Sequence, residues 1–142
     1  MPAQTVARRP LALLCLALAP LTLAACGSTV STSNFKGEQH AAAQAIADLQ
    51  ADATAGEQKK ICKNDLSASV VAKLGGKKGC EKTIKTQLTE IDSLEVSVQS
   101  VQIAAGGKTA IAHVKSTYAG KKRAGTVSLA KESAGWRITA TS

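Results

Sequence analysis

LEVSVQSVQI, Leu94–Ile103, is where the chain changes its period. Val96 and Val98 alternate with Glu95 and Ser97, the pattern of a strand with one buried face. Val101 and Ile103 continue the alternation in the opposite phase, so a bulge or bend is expected near Gln99-Ser100. Downstream the period of two persists. Ala105-Gly106-Gly107-Lys108 reads as a turn. Ala110, Ala112, Val114, Ser116 and Tyr118 then share one face of a strand, with His113, Lys115 and Thr117 on the other. Gly120-Lys121-Lys122 reads as a basic turn, Val127 and Leu129 as a third strand, and Glu132 to Gly135 as another turn. Trp136, Ile138 and Ala140 are expected on the inner face of the last strand.

Upstream of Leu94 the apolar residues recur at three and four instead. Ala42, Ala45, Ile46, Leu49 and Ala53 make one helical stripe, which Gly56 interrupts. Glu57 to Cys62 is a short second stretch presenting Ile61 and Cys62. Asp65-Leu66-Ser67 can cap a third segment carrying Val70, Val71 and Leu74, which ends at Gly75-Gly76. A fourth helix is expected from Cys80 to Ile91, with Ile84, Leu88 and Ile91 on one face. Helices followed by four hairpin-linked strands predict an α+β domain, a curved antiparallel sheet packed on N-terminal helices.

Outward from this domain lies a leader. Arg8 and Arg9 precede the apolar run Leu11 to Ala19, and no acid occurs before Glu38. From Leu11 to Ala25 is 15 residues, broken by Pro20. A spanning helix needs roughly 20 apolar residues, so residues 1–25 read as a cleaved export signal. Its end, Leu23-Ala24-Ala25-Cys26, resembles the bacterial lipobox. The resemblance implies a diacylglyceryl group on the Cys26 sulfur and cleavage just before it. Two or more acyl chains anchor stably where one does not. The expected address is therefore the outer face of the cell membrane. Residues 26–37, rich in Ser, Thr and Gly, read as the lipidated flexible tether, and residues 38–142 as the domain.

Four cysteines are present. Cys15 leaves with the leader and lipid claims Cys26, which leaves Cys62 and Cys80. An even pair in an oxidising compartment favours a disulfide. A metal site is the rival reading, but His40 and His113 are not at ligand spacing. No metal or cofactor is expected.

The C-terminal Gly135-Trp136-Arg137-Ile138 strand, the bent sheet before it and the helices behind a lipobox together resemble a known family. They are similar to small bacterial lipoproteins with an NTF2-like (cystatin-like) domain, most like those of high-GC Gram-positive bacteria. That resemblance covers roughly residues 38 to 141. It implies a cone with a pocket between sheet and helices, able to take a small apolar ligand. In ketosteroid-isomerase-like members, carboxylates and a Tyr project into the cone. Here the inward strand faces are almost wholly aliphatic, with Tyr118 their one titratable group. Asp48 and Asp52 lie four apart on the first helix and read as a solvated surface, and His113 as exposed. Trp136 reads as a core anchor whose nitrogen needs a partner. Gly75-Gly76-Lys77-Lys78-Gly79 lacks the spacing of a phosphate loop. The expectation is a non-catalytic binding module, the alternative an isomerase or hydratase using a pocket acid with Tyr118.

Charge is the remaining signal. Removing Arg8 and Arg9 from 18 basic residues leaves 16 against 10 acids. Eight lysines fall between residues 59 and 85: Lys59, Lys60, Lys63, Lys73, Lys77, Lys78, Lys82 and Lys85. Lys121, Lys122 and Arg123 form a smaller group. A solvated lysine-rich surface is one reading, and contact with anionic lipid or an anionic wall polymer is the other. Nucleic acid is not expected outside the cytoplasm, in a chain with one Trp, one Tyr and one Phe to stack on bases.

Overall fold

The computed structural model describes residues 30–91, 94–118 and 120–142. The leader, the lipobox residues Leu23, Ala24 and Ala25, and Cys26 lie outside the described residues. Helices come first: α1 (Gly37–Thr54), the single turn α2 (Gln58–Lys60), α3 (Ala68–Lys73) and α4 (Gly76–Thr89). Four strands follow: β1 (Leu94–Ile103), β2 (Thr109–Tyr118), β3 (Lys121–Glu132) and β4 (Gly135–Thr141). They form one open sheet in the order β1-β2-β3-β4 with every neighbour antiparallel, so the domain is α+β. Among the described residues no helix is long and apolar enough to cross a membrane.

The core is the contact between α1 and one face of the sheet. Ala42, Ala43 and Ile46 pack against Val98, Val101, Ala110, Ala112, Val114, Val127, Leu129, Trp136 and Ile138. Alanine on the buried stripe lets the helix lie close to the strands, which suits a chain with few aromatic side chains to fill a wider gap. Two glutamines extend this contact to the outer side of β1. Gln39 Nε2 donates to the Val101 carbonyl at 2.9 Å, and the Val96 N–H donates to Gln50 Oε1 at 2.9 Å. Beyond β4, Leu66 forms a parallel bridge with Ile138, and the Ser67 N–H donates to the Ile138 carbonyl.

Several expectations shift in register. The β1 bulge falls at Gln99, between Val98 and Ser100, as the phase change requires. A second irregularity, where Ser128 pairs with Ala140 and Leu129 with Ile138, turns Ala140 out to solvent instead of inward. Lys121 and Lys122 are not a turn; they already pair with Tyr118 and Thr117 in β3. Helix α4 begins at Gly76, four residues earlier than expected, because Gly75 (φ +89°) and Gly76 (φ +75°) adopt left-handed backbone and reverse the chain after α3. The expected tether also shortens. Val30 and Phe35 pack against the core, so the folded part starts before residue 38.

Between α2 and Leu66 the chain makes a π-helical turn, Ile61–Asp65, closed by the Leu66 N–H on the Ile61 carbonyl at 3.0 Å. It buries Ile61, Cys62 and Asp65 together. Cys62 and Cys80 form a disulfide with Cα atoms 6.0 Å apart, which ties this turn to α4. Ser67 then caps α3, its hydroxyl accepting from the Val70 N–H at 3.3 Å.

Candidate functional site

Three polar features stand out against this frame. The first is the helical corner around the disulfide. All eight lysines from Lys59 to Lys85 are exposed. Of these eight lysines only Lys60 has an acid within reach among the described residues, at 4.0 Å from Asp52 and 3.5 Å from Glu57. Lys78, Lys82 and Lys85 recur at four and three along α4, on the side away from buried Cys80. Lys59 and Lys63 flank Cys62, and Lys77 lies beside Lys78 at the start of α4. The cross-link therefore gathers Lys59, Lys60, Lys63, Lys77, Lys78 and Lys82 onto one cross-linked unit. Acids close in sequence do not offset them as the linear order suggests: Asp65 is buried, and Glu81 turns Oε1 inward with no partner.

The second feature is that buried acid. Asp65 is 3% exposed and its Oδ2 has no hydrogen-bond partner. Burial raises its pKa to about 7; the negative charges of Asp52 and Asp48 push the same way, and Arg137 pulls it back down. Asp48 is the solvated residue expected, its Oδ1 accepting from Gln44 Nε2 at 2.9 Å. Asp52 departs from that reading, because it faces Asp65 across the helix–turn junction. The sequence signal was present only as an Asp in an apolar turn, which reads equally well as a cap.

Tyr118 and Asp65 have different neighbours. Tyr118 is 39% exposed at the end of β2, and its hydroxyl donates to the Glu90 backbone carbonyl at 2.6 Å. Asp65 lies beside β4, against Asp52 and Arg137. His113 is exposed on the outer sheet face. Trp136 is the buried anchor expected, and its Nε1 donates to Glu38 Oε2 at 2.8 Å. Lys131 Nζ meets the other Glu38 oxygen at 2.6 Å. These two bonds hold the Glu38 carboxyl below the usual carboxylate range.

The third feature is a cavity of about 430 Å³ at the sheet end that holds the start of β1 and β3. Its lining includes Glu95, Ser97, Lys115, Thr117, Lys122 and Arg123. The pairings Glu95–Thr117–Lys122 and Ser97–Lys115–Ala124 form two adjacent cross-strand rows. Val98 and Val114 belong to the core face, so alternation puts both rows on the opposite face. The space between α1 and the sheet, where the resemblance implies a ligand pocket, is taken up by the core side chains already described.

A comparison with protein-family models and with curated proteins finds no match. Among solved structures, the chain is similar to the intermembrane-space region of the chloroplast protein ARC6. The identity is 15% and the TM-score 0.48, over 76% of this chain and 97% of that one. At that level the likeness carries no functional argument.

Proposed function

We propose that this chain is an exported lipoprotein, anchored to the outer face of the membrane through Cys26, that serves as a non-catalytic binding module for an anionic component of the cell envelope. The observation that carries the reading is the disulfide-tied corner, where eight exposed lysines have almost no acid partners. A disulfide supports an oxidising compartment, and Leu23-Ala24-Ala25-Cys26 supports the lipid attachment. Kinship with the NTF2-like lipoproteins belongs to the same proposal and is supported by the helices-then-sheet order and by Trp136 in the core.

The test has two parts. Metabolic labelling with palmitate marks the wild type and not Cys26→Ala, and only the wild type sediments with membranes. Full-length protein then binds vesicles containing phosphatidylglycerol more tightly than pure phosphatidylcholine. The triple variant Lys77→Gln, Lys78→Gln, Lys82→Gln weakens that binding tenfold or more, since each lysine near an anionic surface contributes about 1 kcal/mol. An unlabelled wild type removes the anchor, and unchanged vesicle binding by the triple variant removes the lysine surface.

A further inference from the structure

Beyond the helical lysines, we infer that the cavity at the β1–β3 end of the sheet is a binding site for a phosphate-bearing polyol.

The ligand class follows from the lining. Lys115 and Lys122 sit in adjacent rows on neighbouring strands, β2 and β3, both on the face away from the core. Such diagonal neighbours have backbones roughly 7–8 Å apart, so two lysine side chains can close on a single phosphate from either side. Two cations thus face the single carboxylate of Glu95 in the lining, while Arg123, in the row of Ser116 and Val96, points to the other face of the sheet. Ser97 and Thr117 place hydroxyls between the charges, donors and acceptors suited to the hydroxyl groups of a polyol. A volume of about 430 Å³ exceeds what a bare phosphate needs and lies within the range of small-ligand sites.

Two sources carry this chemistry, a soluble or polymeric polyol phosphate and a lipid headgroup. The segment before α1 runs back along the helix, with the Thr32 carbonyl 3.1 Å from the His40 ring nitrogen and the Thr32 hydroxyl 3.4 Å from Gln44 Oε1. Position therefore favours neither source, and the titration separates them.

The experiment follows backbone amide chemical shifts of the full chain in a nonionic detergent during titration with glycerol 3-phosphate. The expected result is saturable shifts at Ser97, Lys115, Thr117 and Lys122, with none from glycerol alone. The double variant Lys115→Gln, Lys122→Gln is expected to weaken binding at least tenfold, and Lys108→Gln, exposed at the other end of the sheet, to leave it within twofold. Thermal melts establish that each variant is folded, and Lys122→Gln alone, expected to weaken binding severalfold, serves as the second variant if the double one is not. Equal binding by the charge-removed variants overturns the site. So does an identical shift pattern from sodium chloride at matched ionic strength, whereas shifts confined to phosphatidylglycerol vesicles support the site and assign its ligand to a lipid headgroup. None of these outcomes depends on palmitate labelling, so failure of the anchor and failure of the site are separable.

Discussion

Trp136 Nε1 and Glu38 Oε2 meet at 2.8 Å, joining the first turn of α1 to the last strand of the sheet. The two residues are 98 positions apart, and with Lys131 on the other oxygen they form the clasp over one end of the core. A carboxylate whose folded pKa is depressed stabilises the fold above its unfolded pKa and loses that contribution as pH falls through the folded value. Tryptophan emission should therefore be constant from neutral pH down to 4.5, the ordinary value for a glutamate carboxyl, and change below it. In Glu38→Gln that acid transition should be lost, while the neutral-pH spectrum shows the altered indole partner. Fluorescence titration of the two proteins checks it.

Asp65 should act with the opposite sign. Its folded pKa, about 7, exceeds the reference 3.8. Its contribution is fully present below about 3.8 and is lost as pH rises through 7. Asp65→Asn keeps the side-chain shape and removes the ionisable group. It is expected to be more stable than the wild type at pH 8 by roughly 1–3 kcal/mol and indistinguishable near pH 4. Denaturant melts at the two pH values test this, and a wild type whose stability does not fall between them would refute it.

Reducing the Cys62–Cys80 bond should release the lysine corner from its frame. The bond closes a loop with a sequence separation of 18 residues, and the loop-entropy model gives about 3 kcal/mol for its removal. Cys62→Ser with Cys80→Ser is expected to lower stability by that order and to slacken α4 before the sheet. Hydrogen exchange should show early loss of protection from Lys77 to Thr89, with β2 and β3 still protected.

Gly79 has a different reason for being glycine than Gly75 and Gly76. A Cβ there would run into the Leu74 carbonyl oxygen, which is backbone and cannot step aside. Gly79→Ala should force α3 and α4 apart and destabilise the domain by a few kcal/mol, although alanine is the better helix former. Gly106→Ala meets no atom within 4 Å and carries only the cost of a left-handed backbone (φ +90°), about 1 kcal/mol. Paired melts of the two variants separate crowding from backbone strain.

The sheet was readable because alternation is a local property: the phase break between Val98 and Val101 locates the Gln99 bulge without any tertiary information. Ala140 went astray because its bulge leaves no phase break; one residue, Thr139, slips past β3 near the chain end. Glycines 75 and 76 marked a boundary in the sequence but not which side of it began the next helix. Asp65 was opaque for another reason. The charges that act on it, Asp52, Asp48 and Arg137, arrive from distant segments, and no spacing near Asp65 records that. Lys115 was likewise one cation on an alternating strand until β3 brought Lys122 beside it.

The side chains of Gln39 and Gln50 on β1, and the Leu66 backbone on β4, have a consequence for crowded surroundings. An open sheet ends in two rows of amides and carbonyls that can template a strand from another molecule. Here α1 occupies positions on one row at Val96 and Val101, and the approach to α3 occupies the other at Ile138. Copies packed side by side in a plane thus find both margins interrupted, and edge-to-edge stacking into fibrils is disfavoured at densities where a bare four-stranded sheet would be at risk.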